Sequence, residues 1–100
     1  MFTPTFPMGQ VLVTSSIKSL MTSDLSFHTF IYTSLMRHEE GDWGEVSEED
    51  HQSNELALTS GLRLFSVYHC STEHSVGGDR VYIITEADRS ATTVLWPSEY

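Results

Sequence analysis

The spacing of apolar positions divides this chain into two unequal styles. Up to Gly61 the apolar residues recur every three or four positions, and beyond it they recur nearer every two. The first spacing predicts helices and the second predicts strands. Ile17, Leu20 and Met21 in "TSSIKSLM" fall on one helical face, with Thr14 or Ser15 as the N-cap. In "SDLSFHTFIYTSLMRH", Phe27, Phe30, Ile31, Ser34 and Leu35 form a second helical stripe, capped by Ser23 or Asp24. Tyr32 and Phe30 are read as core, and His28 as a half-buried, hydrogen-bonded histidine at the stripe's edge. "GDWG", Gly41 to Gly44, breaks that helix, and Trp43 reads as a buried anchor or an exposed hot spot. "SEEDHQSNELALTSG" predicts a third helix, with Ser47 as its N-cap and Gly61 as its stop.

Three strand-like runs follow: "LRLFSVYHCS", "RVYIIT" and "TTVLW", the last halted by Pro97. Gly77-Gly78 reads as the tip of the first hairpin. Thr85 to Thr92 is a tight return in which Asp88 accepts backbone N–H bonds and Arg89 pairs with Glu86 or another carboxylate. "GQVLVT", Gly9 to Thr14, is a short strand or extended entry, and residues 1–8 read as an extended arm. The expected fold is α+β in one domain over residues 1–100: two or three N-terminal helices packed on a C-terminal three-stranded antiparallel sheet.

Composition narrows the function classes. The net charge is -9, from 14 acidic and 5 basic side chains. Such a balance disfavours direct nucleic-acid binding, which depends on Lys and Arg. It suits a basic partner. The single cysteine, Cys70, rules out an intrachain disulfide, and it reads as a buried small hydrophobe in a cytoplasmic protein. No run approaches the ~18 apolar residues of a membrane span. The N-terminal segment lacks the pattern of a signal peptide.

Eight of the 14 acidic residues lie between positions 39 and 55, with no Lys or Arg among them: Glu39, Glu40, Asp42, Glu45, Glu48, Glu49, Asp50 and Glu55. With Trp43 they form the candidate partner-binding surface, a mimic of phosphate charge suited to a basic nucleic-acid-binding groove on another protein. Arg63, Glu86, Asp88 and Arg89 form a competing candidate, a small catalytic cluster for a hydrolase or toxin-like enzyme. Two histidine sets are candidate metal ligands: His38, Glu39, Asp42 and His51, or His69, Cys70 and His74. Neither has a ligand spacing that specifies a metal, and no motif calls for a cofactor. A monomer or a homodimer is expected, the latter pairing through an exposed strand such as Thr92 to Trp96.

Two blocks, "HEEGDWGEVSEEDHQSNELAL" and "RLFSVY…VYIITEADRSATTVLWPSEY", carry a resemblance. They resemble a family of small plasmid- and phage-borne proteins, mostly uncharacterised, with a GDWG loop and an ITEADRS-x-TT-x-L-x-P-x-EY ending. The matching positions are His38, Gly41 to Gly44, Asn54, Arg63, Ser66, Tyr68, Thr85 to Ser90, Thr92, Thr93, Pro97, Glu99 and Tyr100. The resemblance implies a mobile-element origin and carries no established catalytic residues to transfer. Mobile elements carry small acidic inhibitors of host defence, of anti-CRISPR or anti-restriction type. By that analogy of context and charge, the expected function is non-enzymatic inhibition of a nucleic-acid-acting host complex.

Overall fold

The computed structural model describes residues 4–74 and 78–100, leaving aside the side chains of 71–74. The tip expected at Gly77-Gly78 lies mostly outside the described residues, with Gly78 opening a strand. The order is β1 (Gln10–Val13), α1 (Ser15–Ser23), α2 (Leu25–Glu39), α3 (Glu48–Ser60), β2 (Leu64–His74), β3 (Gly78–Thr85) and β4 (Ala91–Leu95). A 3-10 turn, Pro97–Glu99, ends the chain. The fold is α+β, as the spacing predicts.

The helix ends obey local chemistry. The Asp24 carboxylate accepts from the Phe27 N–H at 3.2 Å and opens α2. The Ser47 hydroxyl accepts from the Asp50 N–H at 3.1 Å and opens α3. Gly61 closes α3 at φ 71°, the left-handed region where glycine has no Cβ to clash. Thr14 stands at the N-cap of α1, but its hydroxyl donates to Glu99 at 2.9 Å instead of capping the helix. Ser16 donates to the same carboxylate at 2.8 Å, so the chain's end is tied to the start of α1.

The sheet is a correction to the expectation. It has four strands in the order β1-β4-β3-β2, and β1 runs parallel to β4. β2, β3 and β4 form the expected antiparallel meander. The short apolar run Gln10–Val13 completes it by lying along β4. Consequently Thr92 to Trp96 is not an edge: β4 sits between β1 and β3.

One face of the sheet carries the core. Val81, Ile83, Val94, Tyr68, Cys70 and Trp96 meet Ile17, Phe27, Ile31 and Leu35 of the first two helices. Cys70 is buried there, as expected. A smaller cluster joins Phe6, Trp43, Ala57 and Leu64. The N-terminal arm is therefore packed from Phe6 onward. Of the two aromatics read as core, Phe30 is half-buried and packs against the larger cluster, whereas Tyr32 is 57 % exposed. Tyr32 stacks on His28 along the outside of the helix, with ring centroids 4.9 Å apart.

The first half of the β2 edge is covered. The Val67 N–H donates to the Trp43 carbonyl at 3.1 Å, and the Glu45 N–H donates to the Val67 carbonyl at 2.8 Å. Between them Gly44 has φ +73°, and a Cβ there would stand 2.0 Å from the Val67 carbonyl oxygen. Two residues earlier on β2, Asn54 reaches down from α3. Its amide donates to the Phe65 carbonyl at 2.7 Å and accepts from the Phe65 N–H at 3.0 Å. A side chain thus stands in for a neighbouring strand.

Candidate functional site

The acidic segment begins at the end of α2 and fills the first turn of α3. Glu48, Glu49 and Asp50 are exposed, and they follow the Ser47 cap where helical N–H groups favour negative charge. Glu45 and Glu40 are also exposed, whereas Glu39 is half-buried and lines a groove on the other side of α2. Asp42 is not a free charge. Arg37, one turn back, grips it with Nε at 2.8 Å and Nη2 at 3.2 Å. That pair holds the Asp42 carboxyl below its ordinary range. His69 approaches Glu45 to 4.0 Å. Among the described residues, no lysine or arginine lies in ion-pair range of Glu40, Glu48, Glu49, Asp50 or Glu55.

Trp43 leaves the candidate surface. It is 2 % exposed, and its indole N–H donates to Glu55 at 2.7 Å. It anchors the loop and orients a carboxylate, so any contact with a partner falls to the acidic side chains around it.

The competing cluster is a turn. Arg89 sits at φ 62°, an unfavourable conformation for a side-chain-bearing residue. Its guanidinium does not pair with Glu86, contrary to expectation. It donates to the carbonyls of Leu62 at 2.7 Å, Ala57 at 2.9 Å and Glu86 at 3.2 Å. One of those acceptors, the Ala57 carbonyl, lies in the last turn of α3, where it also accepts the Gly61 N–H at 3.0 Å and where the helix carries partial negative charge. The Asp88 carboxylate accepts from the Ser90 N–H at 3.0 Å, as a turn aspartate does. Arg63 donates to the Tyr100 hydroxyl at 2.6 Å. Glu86 is exposed.

A buried polar chain escaped the sequence reading. His38, Ser66, Thr85 and Thr92 are all fully buried. His38 Nδ1 lies 2.6 Å from Ser66 Oγ, and Nε2 lies 2.9 Å from Thr85 Oγ1. Thr85 Oγ1 is 2.7 Å from Thr92 Oγ1, which donates to the Met8 carbonyl at 2.7 Å. The proton positions follow from that last acceptor. Thr92 gives its only proton to Met8, so Thr85 must donate to Thr92. Thr85 must then accept from His38 Nε2–H, leaving Nδ1 to accept from the Ser66 hydroxyl. His38 is neutral, because burial, with the Arg89 charge second, pulls its pKa down to about 3. The chain crosses α2, β2, β3, β4 and the N-terminal arm, and every member has a partner. A signal existed: His38 continues the 27–31–34–35 spacing of α2 onto the same buried face.

Among the described residues, no three His, Cys, Asp or Glu side chains converge as metal ligands. His38 turns away from Glu39 and Asp42 into the sheet, and the His74 side chain lies outside the described residues. No helix among the described residues is long and apolar enough to cross a membrane.

No family model, curated protein or solved structure matches this chain. The resemblance to plasmid- and phage-borne proteins therefore rests on its motifs. Many of the quoted positions are bonds of the scaffold: His38, Ser66, Thr85 and Thr92 in the chain, Asn54 on β2, Arg89 on α3 and Glu99 on α1.

Proposed function

We propose that the protein is a non-enzymatic binding protein that docks the acidic start of α3 on a basic groove of a nucleic-acid-acting host complex. The observation that carries this is the exposed Glu48, Glu49 and Asp50 triplet, which has no cationic partner among the described residues. These carboxylates sit on a helix fixed to the sheet by Asn54, so their charge is presented on a rigid element. The polar residues that resemble catalytic groups are engaged elsewhere. Arg89 caps a helix, Asp88 closes a turn, and Ser66 with His38 is sealed from solvent. With the mobile-element resemblance, this favours an inhibitor of anti-CRISPR or anti-restriction type.

The test is capture of host proteins on immobilised protein at about 50 mM and about 500 mM salt, where screening differs several-fold. A partner held at low salt should be released at high salt and be lost by the Glu48→Gln, Glu49→Gln, Asp50→Asn variant. Retention unaffected by either change contradicts the reading. Turnover of a substrate that depends on Glu86 would favour the enzyme instead.

A further inference from the structure

The two sides of the molecule differ in charge. Residues 1–38 contain one carboxylate, Asp24, against Lys18 and Arg37. The other 13 acidic side chains, with three arginines, all follow. β1, α1 and α2 come from the near-neutral part, and α3 packs beside β2 at the opposite end of the sheet.

The neutral end is also the open end. The first half of β2 is covered, at Phe65 by Asn54 and at Val67 by the 43–45 segment. Among the described residues, β1 pairs only with β4. The Gln10 and Thr14 N–H groups donate to Ser90 and Val94 on the β4 side, at 3.0 and 3.2 Å. Strand alternation therefore turns the backbone groups of Val11 and Val13 outward. Val11 and Leu12 are 44 % and 42 % exposed, without a charge among the four strand residues to discourage pairing. Beside the edge runs a mostly apolar groove of about 890 Å³, lined by Val11, Val13, Tyr32 and Met36 among others, with Lys18 and Glu39 as its charged members.

We propose that β1 is a self-pairing edge, and that its occupant is β1 of a second copy. The backbone directions fix one register. About a two-fold axis through Leu12, Val11 of each copy faces Val13 of the other, and each pair exchanges two hydrogen bonds. The two Leu12 side chains meet at the axis. The sheet becomes eight-stranded, and the two grooves join on one face, with Tyr32 and Met36 of each copy across from the other. A second copy fits because the edge is self-complementary and uncharged: Gln10–Val13 carry no charge, and the groove beside them holds one charge of each sign, Lys18 and Glu39, whereas the other end of the sheet carries the α3 carboxylates. The two α3 acidic faces are then held at the far ends of the assembly.

Sedimentation equilibrium on the intact chain between about 1 and 300 µM tests this, spanning the range expected of a small interface. The wild type should rise from 11.3 kDa to twice that mass. Added salt should strengthen the pairing by screening the like charges, the opposite of its effect on an acidic docking face. Leu12→Lys places two charges together at the axis and should weaken dimerisation at least about tenfold. Val11→Lys should do likewise. Both side chains are substantially exposed, so the monomer's thermal transition should survive. A wild type that stays at 11.3 kDa at about 300 µM overturns the proposal, as does an equal dimer in both variants. If either variant unfolds, amide exchange of wild-type Val11 and Val13 decides. Protection that grows with concentration supports the pairing, and protection independent of concentration overturns it.

Discussion

Acid should destabilise this protein through one histidine. His38 is neutral in the fold, with its pKa pulled to about 3, and an unfolded chain would titrate it near 6.5. Between those values the unfolded state binds a proton that the folded state refuses. Stability is therefore fully present above pH ~6.5 and falls by roughly 1.4 kcal/mol per pH unit below it. At pH ~5 the loss from His38 alone is about 2 kcal/mol, a large part of a small domain's stability. The lowered carboxyls of Asp42 and Asp88 also withdraw stability in acid. They do so nearer the ordinary carboxylate range and add little at pH ~5. Protonation cannot be absorbed locally, because Nδ1 already accepts from Ser66. A second ring proton would force that hydroxyl to turn away. The assay is urea unfolding at pH ~7.5 and ~5 for the wild type and His38→Gln, so that the other four histidines cancel in the comparison. The wild type should lose about 2 kcal/mol more than the variant over that interval. Nitrogen NMR should report the Nε2–H tautomer. Equal losses, or a His38 ring titrating near 6.5, would refute the reasoning.

Other substitutions probe the scaffold. Asn54→Ala strips both bonds from the Phe65 backbone. It should cost about 2–3 kcal/mol and speed exchange of the Phe65 amide. Arg89→Lys keeps the charge but not the fork that spans Leu62, Ala57 and Glu86. A loss of about 1–2 kcal/mol is expected in chemical unfolding. Gly44→Ala should be far worse than Gly61→Ala: both have positive φ, but only at Gly44 does the new Cβ strike a carbonyl. Thermal melts should show about 1 kcal/mol at Gly61 and at least about 3 kcal/mol at Gly44.

What was legible in the sequence was local. Ser47 and Gly61 bound α3 because a cap and a left-handed stop need only their neighbours. The shift of apolar spacing at Gly61 marked the change from helix to sheet. The place of Gln10–Val13 was not legible, because a parallel pairing with β4 some 80 residues away leaves no local trace. For the same reason Thr92 to Trp96 read as an edge when it is a central strand. Arg89 invited pairing with a carboxylate by charge, yet its guanidinium is taken up by backbone carbonyls at the end of α3 and in the loops beside it, Ala57, Leu62 and Glu86. The buried chain hid in ordinary hydroxyls. Ser66, Thr85 and Thr92 have unremarkable sequence contexts, and only the sheet register aligns them with His38.

The central claim is that carboxylates at the start of α3 bind a partner while the polar network beneath them supports the fold. Its most direct test is titration of the captured host partner with the wild type and with the Glu48→Gln, Glu49→Gln, Asp50→Asn variant at about 100 mM salt. The account predicts a loss of roughly 10- to 100-fold in affinity in a variant that remains folded, its unfolding midpoint lowered only by the lost helix-end charges. Equal affinity in the two proteins would contradict it.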